Sequence, residues 1–198
     1  MRRRGISALQ RRGYVTTTTE AGDAPLAPNL LARRFAPGQL AAWVADLTAI
    51  RTDEGWLYLA VVIDLQTRMV LGWSMDEQPR GQLALDALLM ALGRRQPQAG
   101  QLHHSDRGGN YSSRAYQALL AKHELVASMS RRGNCYDNAA MESFWSSLKR
   151  ELVHRRKFAT HQEARAAIFE WIEIFYNRER LHSALGYQSP VDFETQLN

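Results

Sequence analysis

The 198-residue sequence contains a single cysteine, Cys135, so no disulfide can form within the chain. Such scarcity is typical of proteins that fold in the reducing cytoplasm. No apolar run approaches the roughly 18 residues of a membrane-spanning helix, and the arginine-rich start lacks the apolar core of a secretory signal. With 45% hydrophobic and 23% charged residues, the composition predicts a soluble, cytoplasmic protein with one substantial domain and no membrane partner.

Acidic residues are absent from the first 13 positions, which carry five arginines. Because the net charge is +5, the remainder of the chain is formally neutral and the basic character is local. A second basic segment runs from Arg131 to Lys157, with seven Lys or Arg residues against three acids. Two basic segments favour a polyanionic partner, nucleic acid first, although a solubilising surface with a frayed basic tail would have the same composition.

Residues 1–38 lack hydrophobic periodicity and include a polar stretch with Pro and Gly, which predicts a basic, poorly ordered arm. From residue 39 onward the pattern is that of a folded domain. Short apolar runs separated by turn residues predict three consecutive antiparallel strands, in AAWVADLTAI, GWLYLAVVIDL and RMVLGWSM. Two further strands are predicted later, in QLHHS and LVASM.

Helical spacing recurs between and after these strands. It predicts helices in GQLALDALLMALGRRQ, in SSRAYQALLAKH, and over residues 138–153 and 160–178. The first helix repeats apolar residues at Leu85, Leu88, Leu89 and Leu92. The last begins with a capping box of Thr160 and Glu163 and has an apolar face made of Ala164, Ala167, Ile168, Trp171, Ile172 and Phe175. This order of elements predicts an α/β fold with a mixed sheet flanked by helices.

Three acids stand in contexts that suit a metal-dependent phosphoryl-transfer site, because hard divalent cations prefer oxygen ligands drawn from separate elements. Asp46 lies inside an apolar strand, where alternation places it on one face with Val44 and Thr48. It either faces a site or points outward from an edge strand. Asp106 follows the strand QLHHS and opens DRGGN, a favoured place for chemistry that also suits a plain turn.

Glu142 is predicted in the first turns of a helix, with Lys149 and Arg150 near its face. A solvated Glu–Lys surface would have the same pattern. His103 and His104 precede the second acid and could be ligands or proton carriers. Alternation sends them to opposite faces of the sheet, so a structural role is the simpler interpretation.

Taken together, the acids and their surroundings resemble the retroviral-integrase and insertion-sequence transposase superfamily. The separation of Asp46 from Asp106 is 59 residues, and Asp106 and Glu142 are separated by 35, similar to that superfamily's Asp, Asp, 35 residues, Glu pattern. The resemblance covers about residues 28–193. It is closest to the branch whose transposase is read from two overlapping frames, in the words WVADLTAI, GWLYLAVVIDLQTRMVLGWSM, HHSDRGGNYSS, SMSRRGNCYDNAAMESFWSSLKREL and IFYNRERLHSALGYQSPVDFE.

This resemblance implies a ribonuclease-H-like fold, a five-stranded mixed sheet flanked by helices, forming an integrase-type catalytic core with a C-terminal helical extension over residues 39–198. It implies that Asp46, Asp106 and Glu142 are catalytic and hold two Mg²⁺ (or Mn²⁺) ions, with Asp46 bridging both. Water would release a 3′-hydroxyl at the element's end, and that hydroxyl would then attack a second phosphodiester. Asp137 is a rival third ligand, but its spacing is shorter and a role at the helix start suits it better.

The resemblance also implies contacts with DNA. Lys149 matches a basic position that contacts DNA near the metals in this superfamily, and further candidates are Asn138, Arg131, Arg132 and Arg150. The implied partners are the element's DNA ends and the target DNA, a second copy of the chain in the active complex, and a first-frame product or fused transposase. A bacterial protein of this kind would associate with the nucleoid when bound to DNA.

Two departures from the family pattern bear on function. Gly109 and Asn110 stand where relatives often carry a Ser-Gln pair. The N-terminal region is expected to be shorter than in the branch, which would remove the part that recognises the terminal repeats. Two alternatives to an active transposase core therefore remain: an idle remnant that binds DNA or a full-length transposase, and a nuclease of ribonuclease-H type.

Overall fold

A central five-stranded sheet organises the computed structural model, which describes residues 26–35, 40–131 and 138–197. The strands are β1 (Ala42–Thr52), β2 (Gly55–Asp64), β3 (Val70–Asp76), β4 (Leu102–Ser105) and β5 (Val126–Met129). Their order across the sheet is β3-β2-β1-β4-β5. The first three form an antiparallel meander, whereas β4 and β5 pair in parallel beside β1. The predicted mixed sheet is therefore confirmed.

Helices cover both faces of the sheet. They are α1 (Gly81–Arg94), α2 (Gly109–Ser112), α3 (Arg114–Lys122), α4 (Ala139–Glu151), α5 (His161–Glu170) and α6 (Pro190–Leu197). A π-helix (Trp171–Glu179) continues α5, and 3₁₀ turns occupy Val153–Arg155 and Ser183–Leu185. One face of the sheet packs on α1 and α3, and the other packs on α4, α5 and the π-helix. In the ranges described, none of the helices has the length and apolar character needed to cross a bilayer.

Period-2 alternation along β1 divides the apolar core into two layers. Trp43 and Ala45 pack in the layer with α1 and α3, while Val44 packs in the layer with α4 and α5. Asp46 shares the side of Val44, so its carboxylate lies on the α4 side of the sheet. This placement follows the alternation predicted from the sequence.

The leucines predicted to recur along α1 are buried only in part: Leu88 and Leu92 lie in the core, and the other two do not. Leu89 is 50% exposed and Leu85 is half-buried, whereas Ala87 and Ala91 lie fully inside. A Cβ added to Gly72 of β3 would overlap the backbone of Ala87 and Ala91. Because α1 lies this close to the strand, small residues rather than leucines face the sheet at the point of contact.

The helix predicted over residues 160–178 is continuous but changes its winding. Thr160 caps it as predicted, with its Oγ1 accepting a hydrogen bond from Glu163 N at 3.1 Å. The π-helical segment has more residues per turn than an α-helix, which changes the residues that face the core. Phe175, predicted to be buried, is 37% exposed, and Tyr176 is buried instead.

Asn177, at the next position of the π-helix, completes the edge of the sheet. Its Oδ1 accepts a hydrogen bond from Val70 N at 2.9 Å, and its Nδ2 donates to Val70 O at 3.1 Å. Since β3 is an edge strand, this side chain satisfies backbone groups that would otherwise be buried without partners.

Part of the predicted N-terminal arm packs against the sheet. Met129 N of β5 donates to Pro28 O at 3.3 Å, Leu30 N donates to Ser128 Oγ at 2.9 Å, and Leu31 is fully buried. Residues 1–25 and 36–38 of that arm lie outside the described residues. The division of the chain at residue 38 stays a prediction.

Candidate active site

Asp46 and Asp106 lie together because β1 and β4 are adjacent parallel strands. Their parallel pairing ends with Val44 opposite His104, and each aspartate lies two residues beyond that pair. Asp106 follows the end of β4, whereas Asp46 is still within β1, whose antiparallel pairing with β2 continues to Thr52. The fold therefore brings two aspartates with 59 residues between them in the sequence close together in space.

The carboxylate of Asp46 is half-buried and held by two donors. Its Oδ1 accepts from Leu47 N at 2.8 Å, and its Oδ2 accepts from Trp145 Nε1 at 2.9 Å. Burial, followed by the negative charge of Asp106, nevertheless raises the pKa of Asp46 from 3.8 to about 7. The two hydrogen bonds and the ammonium of Lys149 oppose this increase only in part. A pair of carboxylates whose negative charge is only partly balanced by neighbouring donors and cations is a common feature of cation-binding and catalytic sites.

The loop that carries Asp106 is fastened on both sides of the carboxylate. Asp106 Oδ1 accepts a hydrogen bond from Gly108 N at 2.8 Å. Arg107 Nε donates to Ser130 O at 2.8 Å, which ties the loop to the end of β5. The DRGGN segment is thus a turn, as one interpretation of the sequence held, and it also orients a carboxylate toward Asp46.

One face of α4 approaches the aspartate pair. Trp145 bonds Asp46 directly, and the charge of Lys149 acts on the same carboxylate. Glu142 precedes these residues by three and seven positions, which places it on the same helical face. Its side chain is exposed. Across residues 26–35, 40–131 and 138–197, no three His, Cys, Asp or Glu side chains lie close enough together to hold a metal ion. The fold therefore brings Asp46 and Asp106 together, and in the described ranges Glu142 does not complete a metal-holding group with them.

Two residues of the site were not identified from the sequence. Trp145 was not singled out as a site residue, although an indole N–H commonly finds an acceptor when buried. Tyr111, five positions after Asp106, is 3% exposed, and its hydroxyl has no hydrogen-bond partner in the described part of the chain. Burial, followed by the charge of Asp46, raises the pKa of Tyr111 well above its ordinary value, so the phenol lies near the aspartate pair.

The two histidines before Asp106 are structural. His103 Nε2 bonds Tyr116 Oη at 3.1 Å on one face of the sheet, and burial lowers the pKa of His103 to about 3. His104 bonds Ser128 Oγ at 2.8 Å and Ser130 Oγ at 3.1 Å. Both imidazoles are buried, as the simpler interpretation of the sequence predicted.

The predicted DNA contacts do not share one surface. Lys149 lies near Asp46, whereas Arg150 lines a separate cleft. Asn138 is buried at the start of α4, and Arg131 is exposed just after β5. Arg132 and Asp137 lie outside the described residues.

Comparison with known proteins connects this geometry to a family. Residues 36–135 match one integrase core domain family, and residues 123–190 match a second family of the same description. The chain is 48% identical over 197 residues to the Transposase InsF for insertion sequence IS3A of Escherichia coli (strain K12), which covers 99% of this chain and 68% of that protein. It is also 48% identical to the Insertion element IS600 uncharacterized 31 kDa protein of Shigella sonnei, over 98% of this chain and 71% of that one.

Solved structures share the fold at much lower sequence identity. A chain of the simian T-cell lymphotropic virus intasome in complex with PP2A regulatory subunit B56 gamma aligns with a TM-score of 0.64 at 14% identity, covering 89% of this chain and 60% of that one. The catalytic core domain of BIV integrase aligns with a TM-score of 0.58 at 13% identity over 79% and 95% of the two chains. The HTLV-2 integrase catalytic core domain, in complex with magnesium and in a dimeric form, aligns with a TM-score of 0.54 at 14% identity, covering 79% of this chain and 98% of that one. These similarities confirm the predicted ribonuclease-H-like fold.

Proposed function

Because the chain belongs to the integrase-core transposases of insertion sequences, we propose that Asp46, Asp106 and Glu142 form the site at which it cleaves and joins DNA strands. The observation that carries this assignment is the aspartate pair. Two carboxylates lie just beyond the last parallel pair of β1 and β4, and their proximity contributes to raising the pKa of Asp46 to about 7. Ionising both carboxylates costs free energy, as expected for a pair whose negative charge is neutralised by a bound cation.

The residues present fit a divalent cation. Asp46 and Asp106 offer carboxylate oxygens, which Mg²⁺ and Mn²⁺ prefer, and their mutual repulsion is the energy that a cation would relieve. Two such ions would activate the attacking oxygen and stabilise the leaving oxygen at the scissile phosphate. Glu142 would complete the ligand set, since its exposed side chain loses few contacts in reorienting toward the aspartates.

The other residues of the site orient these groups. Trp145 holds Oδ2 of Asp46 through its indole N–H, which fixes the direction of the carboxylate. Lys149 lies on the same helical face and would bind a DNA phosphate beside the scissile bond. Tyr111 places a hydroxyl donor near both aspartates, available to a carboxylate or a bound water.

Both the element's ends and a target would be duplex DNA, and two copies of the chain would hold the two ends. Support for a multimer comes from the dimeric form of the HTLV-2 core and from the intasome that share this fold. A first-frame product or a fused transposase is a further proposed partner, in line with the transposase relatives.

The test is a strand-transfer assay with Mn²⁺ or Mg²⁺. The labelled donor is a duplex of the element's end with its 3′-hydroxyl already exposed, so that hydrolysis and joining are scored separately. Asp46→Asn, Asp106→Asn and Glu142→Gln are each expected to abolish joining, because each removes a proposed metal ligand. Asp53→Asn, which changes an exposed acid in the turn between β1 and β2, is the matched control and is expected to keep full activity.

Folding of each variant is checked by circular dichroism. Full joining activity in any one of the three variants would remove that residue from the site. Hydrolysis of DNA without joining of the 3′-hydroxyl would identify a nuclease rather than a transposase core.

A further inference from the structure

A second polar cleft, of about 500 Å³, lies beside α4 on a side different from the aspartate pair. Ser143, Ser147 and Arg150 line it from the helix, and its opposite wall is the segment 180–187. Neighbouring positions on an α-helix point about 100° apart. Lys149 and Arg150 therefore serve different surfaces, the first facing Asp46 and the second facing this cleft.

Positive charge is concentrated in the cleft. Arg180 is paired with Glu151 at 3.0 Å, and its Nη2 also donates to Ser147 Oγ at 3.1 Å. Arg68 and Arg150 form no ion pair with any described residue. Arg68 is half-buried; its Nη2 donates to Phe35 O, but its Nε has no acceptor in the part of the chain that the structure describes. A desolvated guanidinium with an unused donor is suited to an anionic ligand.

The protonation of His182 is affected by the same positive charges. Burial, followed by the charges of Arg180 and Arg68, lowers the pKa of His182 to about 4, so its imidazole is neutral near pH 7. The ring stands edge-on to Tyr176 with the centroids 4.9 Å apart. Its Nε2 is buried and makes no hydrogen bond within the described ranges. The floor of the cleft thus holds a second unused polar group.

An aromatic ring stands exposed at the rim. Tyr187 is 72% exposed although it belongs to a closed loop, in which Tyr187 N donates to His182 O at 2.9 Å and His182 N donates to Gln188 O at 3.0 Å. Its φ is +61°, a left-handed conformation that is unfavourable for a residue with a Cβ. Unfavourable backbone conformations that persist in a folded protein cluster at functional positions. The loop therefore holds an aromatic surface in solvent, in the same cleft as two arginines that form no ion pair within the described ranges.

We propose that this cleft binds an unpaired nucleotide of the DNA substrate, with the phosphate on Arg68 and Arg150 and the base stacked on Tyr187. The proposal rests on the DNA activity proposed above, and it adds a substrate feature and a binding site to it. Arginine donors match phosphate oxygens, and exposed aromatic rings stack on bases without regard to sequence. A paired base is stacked inside the duplex, so a nucleotide can use both groups only when it is unpaired. The volume falls in the range of small-ligand sites.

The experiment is fluorescence anisotropy without divalent metal, so that no DNA is cut. Three labelled duplexes are compared: one with a single unpaired 2-aminopurine nucleotide, one with an unpaired abasic nucleotide at that position, and one fully paired. The protein is expected to bind the first about 5- to 100-fold more tightly than the second, the range for stacking of one base. The 2-aminopurine fluorescence is expected to fall on binding.

Matched variants locate the effect. Tyr187→Ala is expected to remove the preference for the base, and Tyr187→Phe to retain it. Arg150→Gln is expected to weaken binding of both unpaired probes equally. The control is Trp56→Ala. Trp56 is also an exposed aromatic residue beside an arginine, with Arg51 Cζ 5.3 Å from the centroid of its ring, but it lies at the start of β2 and does not line the cleft. This substitution is expected to leave every affinity unchanged.

Equal affinity of the wild-type protein for the base-bearing and abasic probes would overturn the proposal, and so would a preference that survives Tyr187→Ala. Competition by polyglutamate as strong as that by DNA would also overturn it, because the cleft would then be a general anion site. These outcomes are separable from the active-site test, since binding is measured without metal and Asp46→Asn is expected to keep the preference. A preference for the base in a protein that joins no DNA would refute only the catalytic assignment.

Discussion

Replacing Asp46 with asparagine is expected to stabilise the metal-free protein at neutral and alkaline pH while removing its activity. The cause is the pKa of Asp46, which burial and the charge of Asp106 raise from 3.8 to about 7. Since the folded state binds this proton more tightly than the unfolded state, the wild-type protein loses stability as the pH rises from about 4 to about 7. The asparagine variant has no such proton to lose.

The size of the effect follows from the shift and the hydrogen bonds. Raising the pKa of Asp46 from 3.8 to about 7 corresponds to about 4 kcal/mol in the free energy of unfolding. Asparagine offers one acceptor oxygen, so it can replace the bond to Leu47 N or to Trp145 Nε1 but not both, at a cost of about 1 kcal/mol. The net gain above pH 7 is therefore about 3 kcal/mol, or about 6–12 °C in Tm for a chain of this size.

The assay is urea unfolding of wild type and variant in EDTA at several pH values from 4 to 8, with thermal unfolding as a second measurement. The difference in unfolding free energy is expected to be near zero at pH 4 and to grow toward its full value by pH 8. Asp53→Asn, in the exposed turn, is expected to change stability by less than about 0.5 kcal/mol at any pH. An Asp46→Asn variant no more stable than wild type at pH 8, or a difference that does not vary with pH, would refute the reasoning.

Two further substitutions test how the site is supported. Trp145→Phe keeps an aromatic ring but removes the donor to Asp46 Oδ2. The affinity for Mg²⁺, measured by calorimetry, is therefore expected to fall about 5-fold, which is the equivalent of one hydrogen bond. An unchanged affinity would show that the indole only fills space. Gly72→Ala is expected to destabilise the fold by about 1–3 kcal/mol in urea, because the added Cβ would meet the backbone of α1 at Ala87. The matched change Gly93→Ala, where a Cβ meets nothing, is expected to cost no stability.

Local patterns predicted most of the fold correctly. The alternation in β1 put Asp46 on the side of Val44, and the strand and helix order matched the resemblance to integrase cores. These features depend on residues close in sequence, where periodicity reports directly which side chains share a face. The capping interaction of Thr160 with Glu163 N is of the same kind.

Errors arose where a distant element set the packing. Of the four leucines predicted to recur along α1, Leu85 and Leu89 lie outside the core, and alanines stand at the point of closest approach to Gly72. Phe175 was predicted inside, but the π-helical winding buried Tyr176 in its place. Neither the contact with β3 nor the change of winding has a signal at the helix positions themselves.

The sequence by itself determined the candidate residues: three acids at family-like spacing, a basic segment around α4, and the strands that carry two of the acids. Only the tertiary structure decided how these residues relate in space. It joined Asp46 to Trp145 across 99 positions, placed Tyr111 near the aspartates, and put Lys149 near Asp46 but Arg150 in the lining of a separate cleft. The reason is that the pKa of a carboxylate and the groups that a basic side chain can contact depend on burial and neighbouring charge. Both arise only when elements far apart in the chain pack together.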